Sequence, residues 1–124
     1  MTDVVTLQLP RERDFFGVAH LVLGGLGARL DLTYDVLEDM TTAIDELLNR
    51  SEPTEDVTLT VRIEEEAIIA TVGPFGVSVA EELRGSDAQL GLRRVLETVV
   101  DEVDVSERDG ARWVELRKSL KDRG

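Results

Sequence analysis

The stretch YDVLEDMTTAIDELLNRSE, residues 34–52, holds the side chains of this sequence with the clearest capacity for chemistry. Glu46 is followed within one helical turn by Asn49. A carboxylate can act as a general base, and some kinases and ATPases use a glutamate and an asparagine in this way to hold a magnesium nucleotide. The alternative is a solvated helix face, on which Glu46 and Arg50 form an (i, i+4) ion pair worth ~0.3–0.5 kcal/mol.

The helical spacing of the same stretch separates a polar face from an apolar stripe. The polar face consists of Asp39, Thr42, Glu46 and Arg50. The apolar stripe consists of Leu37, Met40, Ile44 and Leu48. We therefore expect an amphipathic helix, capped by Thr33, that buries the stripe and leaves the polar face for solvent or a ligand.

Other reactive side chains are scarce. The chain has no cysteine, which excludes disulfides and thiolate metal sites. The single histidine, His20, lies in an apolar helical stretch, so we expect a structural role for it rather than a catalytic one. A Ser-His-Asp triad or a histidine-based metal centre is thereby disfavoured, and the sequence predicts no metal ligand set.

Length and charge limit the possible partners. A chain of 124 residues is expected to form a single domain, residues 1–124. Its net charge of −12 repels nucleic acid and anionic lipid but suits a basic protein partner. No apolar run approaches the ~18 residues needed to cross a bilayer, and the N-terminus lacks the features of a signal peptide. We expect a cytoplasmic protein that binds neither nucleic acid nor membrane.

The elements that position these residues follow from hydrophobic periodicity. Strands are expected at VVTLQL, at VTLTVRI and AIIATV, and on both sides of Asp109-Gly110, a dipeptide that favours a type I′ turn. Helices are expected in RERDFFGVAHLVLGGLGARL, within residues 34–52 and at LGLRRVLETVV. The order β-α-α-β-β-α-β-β predicts an α/β (α+β) two-layer sandwich, with a mainly antiparallel or mixed sheet and helices on one face.

The first helix carries a glycine-rich segment. The apolar residues at helical spacing in it are Phe15, Val18, Ala19, Val22 and Leu26. Gly24, Gly25 and Gly27 each weaken a helix by up to ~1 kcal/mol relative to alanine. They predict either a close packing contact or an early end of this helix.

The segment LPRERDFFGVAHLVLGGLGARLDLTYDVLEDMTTAIDE resembles the start of the anti-sigma-factor serine kinases, small bacterial members of the GHKL superfamily of histidine-kinase-like ATPases. The resemblance continues through LGLRRVLETVVDEVDV to the final hairpin. It implies a histidine-kinase-like ATPase fold, ATP and magnesium as cofactors, and a sigma factor or an anti-sigma antagonist as partner. It also implies a possible homodimer, with the first helix contributing to the dimer and partner surface.

The family motifs map unevenly onto the chain. In the family a glutamate, matched here by Glu46, is the general base toward the substrate serine, and an asparagine four residues later holds magnesium. Arg50 stands at that later position, and Asn49 lies one residue earlier. A strand-end Asp-x-Gly motif reads the adenine, and Pro74 and Gly76 stand at its positions. The resemblance therefore implies cofactor-binding roles for Asn49 and Gly76 while removing the adenine-reading acid.

A third family motif, Gly-x-Gly-Leu, cradles phosphates at a helix N-terminus. Gly91 and Leu92 match its end and are candidate cofactor-binding residues, whereas Gln89 replaces its first glycine. The segment between Gly76 and Gly91 is also shorter than the family's nucleotide lid. Three departures in three motifs predict a vestigial nucleotide site.

Three functional hypotheses remain. The leading one is a regulatory protein that binds a sigma factor, an anti-sigma antagonist or both without catalysis. The second is an active serine/threonine kinase that uses ATP and magnesium, with Glu46 as its base. The third is an unrelated α/β interaction module.

Overall fold

A computed structural model describes residues 4–10, 12–49, 56–75 and 92–120 of the chain. Its strands form one five-stranded sheet with the order β1-β2-β3-β5-β4. The strands are β1 (Val4–Leu9), β2 (Val57–Glu64), β3 (Ala67–Phe75), β4 (Glu102–Arg108) and β5 (Ala111–Ser119). Every neighbouring pair is antiparallel. The predicted sheet is confirmed, and its described part contains no parallel pair.

The helices of the described residues are α1 (Phe16–Leu30), α2 (Tyr34–Asn49) and α3 (Leu92–Val99). A 3-10 turn, Arg13–Phe15, precedes α1. The predicted order β-α-α-β-β-α-β-β is confirmed. α2 lies between the other two helices and packs against both of them.

Local sequence explains where several of these elements begin and turn. The hydroxyl of Thr33 accepts a hydrogen bond of 3.3 Å from the backbone N–H of Val36, so Thr33 is the predicted N-cap of α2. Asp109 and Gly110 have φ angles of 51° and 80°, the positive pair that a type I′ turn requires. The hairpin β4–β5 therefore closes as the sequence predicts.

The core lies between the helices and the inner face of the sheet. Strict alternation in β2 sends Val57, Leu59 and Val61 inward, and each is at most 1% exposed. Met40, Ile44 and Leu48 of α2 are also buried in this core. The core positions α2 firmly against the sheet, so the polar side chains along its two edges have defined places.

The sequence left open which side of α1 is buried and where the helix ends. Its buried residues are Ala19, Leu23, Leu26 and Gly27, whereas Phe15 and Val18, which lie at helical spacing with them, are 41% and 36% exposed. The helix also continues past its glycines to Leu30. Gly27 allows α1 to pack closely on α2, because Leu37 of α2 lies where a Cβ at Gly27 would stand. The close packing contact expected of the glycines is thus confirmed at Gly27, and the early end is wrong.

Candidate functional site

Glu46 and Asn49 lie in the last turn of α2. Glu46 is half-buried and makes no hydrogen bond or ion pair with another residue of the described ranges. Asn49 is exposed and is the last residue of the helix. Because three residues turn a helix by 300°, the two side chains leave α2 about 60° apart. Arg50, and with it the predicted Glu46–Arg50 ion pair, lies outside the described residues.

The polar face predicted for α2 is partly engaged with the sheet. Asp39 forms an ion pair with Lys118 of β5, with 2.8 Å between Oδ2 and Nζ. The side chains of Asp39 and Lys118 are 35% and 18% exposed, respectively. Thr42 is exposed. The expectation of an unpartnered solvated face is therefore wrong at Asp39, where the helix crosses the end of β5.

Pro74, at the position of the adenine-reading acid, lies near the end of β3. It is partly buried and follows Gly73, and the pairing with β5 changes register between Val72 and Phe75. The ring of Trp113 covers Gly73, so that a Cβ there would stand 2.6 Å from Cδ2 of the indole. Proline offers no carboxylate and no N–H, so this strand end presents no side-chain acceptor at Pro74. Gly76 lies outside the described residues.

Leu92 is the first residue of α3, and its side chain is fully buried in the hydrophobic core. Its side chain therefore packs between α3 and the rest of the core. A role toward a cofactor would have to come from its backbone at the helix N-terminus. Gly91 and Gln89 lie outside the described residues, so the phosphate-binding turn stays a prediction.

A second polar arrangement joins α1 to α2. Nε2 of His20 lies 2.7 Å from Oδ1 of Asp45. An ionised carboxylate can only accept, so Nε2 carries the proton and donates. His20 is 45% exposed, and the expected structural role fits this link between two helices. Sequence reasoning did not find its partner, which lies 25 residues away along the chain.

Beside this link lies the α1–α2 groove, which sequence reasoning missed. Its lining residues are His20, Gly24, Tyr34, Leu37, Glu38 and Thr41. The Tyr34 hydroxyl donates a hydrogen bond of 2.7 Å to Glu38. That hydrogen bond and the charge of Glu38 raise the pKa of Tyr34 above its ordinary value, so the phenol keeps its proton as a donor.

A sequence signal for the groove does exist. His20 and Gly24 are four residues apart, and Tyr34, Glu38 and Thr41 follow at spacings of four and three, so each set lies on one side of a helix. Only the crossing of α1 and α2 brings the two sets together.

In the described residues the helices pack against an antiparallel sheet, as expected for the predicted two-layer fold class, and a solved structure shares this fold. The structure contains the RsbU and RsbW domains of Rv1364c from Mycobacterium tuberculosis. It superposes with a TM-score of 0.68 at 12% sequence identity, covering 95% of this chain and 32% of that one. This chain thus spans about a third of that solved chain, and the likeness establishes the fold.

Sequence relatives agree with the fold. The serine-protein kinase RsbW of Listeria innocua is 29% identical over 125 aligned residues, which cover 83% of this chain and 79% of the relative. The serine-protein kinase RsbW of Bacillus velezensis is 34% identical over 44 residues, 36% of this chain and 28% of that protein. No family model matches the chain. The resemblance to the anti-sigma-factor serine kinases is confirmed.

Within residues 4–10, 12–49, 56–75 and 92–120, no three histidine or carboxylate side chains are grouped closely enough to hold a metal ion. None of the helices in these ranges is long and apolar enough to cross a membrane.

Proposed function

We propose that this chain is an anti-sigma-factor-like regulatory protein, and that it controls transcription by binding a sigma factor, an anti-sigma antagonist or both. The observation that carries the proposal is the similarity to serine-protein kinases RsbW over 83% of the chain, on the matching fold. A net charge of −12 also suits a basic protein surface. In this proposal residues 1–124 form one domain that works in the cytoplasm.

We further propose that the nucleotide site is vestigial. Pro74 supplies no acceptor for the adenine amino group, and Arg50 places a cation at the family's magnesium position. Glu46 is the one group of the family's catalytic pair that stands at its own position. The residue types at these motif positions therefore fit magnesium ATP poorly, and partner binding in this proposal needs no nucleotide.

Calorimetry with magnesium ATP tests the vestigial site. We expect a dissociation constant above ~1 mM, corresponding to binding weaker than about −4.1 kcal/mol. The double variant Arg50→Asn with Pro74→Asp should bind measurably more tightly, whereas Arg50→Asn alone should not. A micromolar constant for the parent chain, equal to that of the double variant, would show that Asn49 serves the metal and that the site is functional.

Binding to purified sigma factors and antagonist domains of the source organism tests the regulatory role. We expect at least one of them to form a stable complex by size-exclusion chromatography, with an affinity unchanged by ATP and magnesium. A complex that forms only with nucleotide would contradict the vestigial site. The absence of any complex across the full set would contradict the regulatory proposal.

A serine/threonine kinase is the second candidate, favoured by the half-buried carboxylate of Glu46, which has no partner within the described ranges. Such a site would need Asn49, Gly76, Gly91 and the backbone of Leu92 to hold ATP and magnesium. The test is transfer of labelled phosphate from ATP to a purified antagonist domain. Activity that disappears in Glu46→Gln, at unchanged antagonist binding, would establish the kinase.

A further inference from the structure

The α1–α2 groove has the size of a binding site for side chains rather than for a whole cofactor. Its volume is about 250 Å³, below the ~300–1,000 Å³ of pockets that enclose small molecules. Tyr34, which lines the groove, is 73% exposed, so the groove is open to solvent at this residue. A segment of another protein can therefore reach it.

Gly24 keeps the groove open. A Cβ at Gly24 would meet nothing within 4 Å, whereas a Cβ at Gly27 would collide with Leu37. Packing between the helices thus requires glycine at position 27 but not at position 24. Glycine destabilises a helix relative to alanine, and the open space at Gly24 adds no packing that would offset this loss in the isolated chain. The vacant space is available to a side chain from outside.

One carboxylate lines the groove, and a second is bonded to another of its lining residues. Glu38 lines it, and Asp45 lies one helical repeat further along α2, bonded through Oδ1 to His20. In the part of the chain that the structure describes, no lysine or arginine lines the groove. Seven residues of helix separate the two carboxylates, which corresponds to about 10.5 Å along the axis. Leu37 supplies an apolar wall between them.

We infer that the α1–α2 groove receives an apolar side chain from a partner protein segment that carries lysine or arginine on either side of it. A helical segment lying along α2 would place its apolar anchor near Gly24 and its cations near Glu38 and Asp45, at positions about seven residues apart. The charge in and beside the groove selects this partner, because a segment with acidic residues would be repelled by both carboxylates. The inference rests on the proposed function only in that the chain acts by binding a protein.

Selection from a display library of random peptides about 16 residues long, roughly four helical turns, tests the inference. The parent chain should enrich sequences with an apolar residue flanked by lysine or arginine three to four residues away on both sides. Enrichment of neutral or acidic sequences, or of basic sequences without the apolar anchor, would overturn it.

Two matched glycine variants locate the bound peptide. Gly24→Leu fills the groove and should weaken binding of an enriched peptide at least about tenfold. Gly25→Leu is the control, because Gly25 is also exposed with open space around its Cβ position but does not line the groove. Both variants replace a helical glycine by a good helix former, so neither should unfold the chain. Equal loss in both, or in neither, would contradict the groove as the site.

Two charge-matched double variants test the role of the carboxylates of Glu38 and Asp45. Glu38→Gln with Asp45→Asn should weaken peptide binding and flatten its dependence on salt. Glu102→Gln with Asp104→Asn removes the same charge from the exposed edge strand β4 and should leave binding unchanged. An equal effect of both pairs would show that binding depends only on the net charge of the chain. That result would overturn the proposed recognition.

The same glycine variants separate this inference from the proposed function. A sigma factor or antagonist that binds Gly24→Leu as tightly as the parent would refute the groove as its site and leave the regulatory proposal standing. Basic peptides that bind the groove while no sigma factor or antagonist binds the chain would refute the regulatory proposal and leave the groove standing.

Discussion

The two edges of α2 differ in how completely their polar groups are partnered. On the edge that faces α1, Tyr34 bonds Glu38 and His20 bonds Asp45, at 2.7 Å each. On the opposite edge Asp39 pairs with Lys118, but Glu46 has no partner among the described residues. On the edge that faces α1, these polar groups are therefore hydrogen-bonded and border an open groove. The opposite edge retains Glu46 as a potential general base, and this agrees with the proposed vestigial nucleotide site.

The largest effect on the nucleotide-site side of this comparison is expected at Leu92. The family resemblance makes it a nucleotide-binding candidate, whereas the structure buries its side chain in the core. We expect Leu92→Ala to lower the free energy of unfolding by about 2–5 kcal/mol, because it removes a fully buried side chain and leaves a cavity. Urea denaturation measures the loss. Arg94→Ala, at an exposed position of the same helix, is the control and should change stability by less than ~0.5 kcal/mol.

Gly73 tests whether the strand end beside Pro74 is rigid. Gly73→Ala should cost about 1–3 kcal/mol, because the new methyl group would displace the ring of Trp113. Trp113 is the one tryptophan of the sequence, so its fluorescence should shift in the same variant. Gly25→Ala, in open space on α1, should instead stabilise the chain by up to ~1 kcal/mol. Like signs for both alanines would contradict the packing described at Gly73.

The His20–Asp45 link sharpens the comparison on the edge that faces α1. A double-mutant cycle with His20→Ala and Asp45→Ala should give a coupling free energy of ~0.2–1 kcal/mol, typical of a partly exposed pair. Thermal or urea unfolding of the four proteins measures it. The pair His20 and Glu46 is the control, since Asp45 and not Glu46 holds the histidine, and its coupling should be indistinguishable from zero.

Glu46 should show the smallest effect. Since its carboxylate has no partner in the described ranges, Glu46→Gln should change the free energy of unfolding by less than ~0.5 kcal/mol. Asp39→Asn should cost more, because Lys118 is only 18% exposed and would lose its counter-charge. A larger loss of unfolding free energy for Glu46→Gln than for Asp39→Asn would contradict the ion pair described at Asp39 and the lack of a described partner at Glu46.

The fold was largely predictable, and the candidate site only in part. The alternation Val57, Leu59, Val61 and the turn at Asp109-Gly110 are local signals, and both operate in the structure as predicted. Glu46 could be identified because the family pattern surrounds it in sequence. The partner of His20 and the groove beside it could not, because their two halves come from different helices.

The sequence by itself determined the order of the elements, the cap at Thr33 and the buried stripe of α2, since each depends on residues within one or two turns of chain. Only the tertiary structure decided which side of α1 faces the core. That helix is apolar on several sides, so its periodicity favours no single face, and Phe15 and Val18 are partly exposed although they lie at helical spacing with buried residues. The choice was made by shape: Leu37 of α2 fits over Gly27, and this fit turns His20 and Gly24 toward α2 to form the groove.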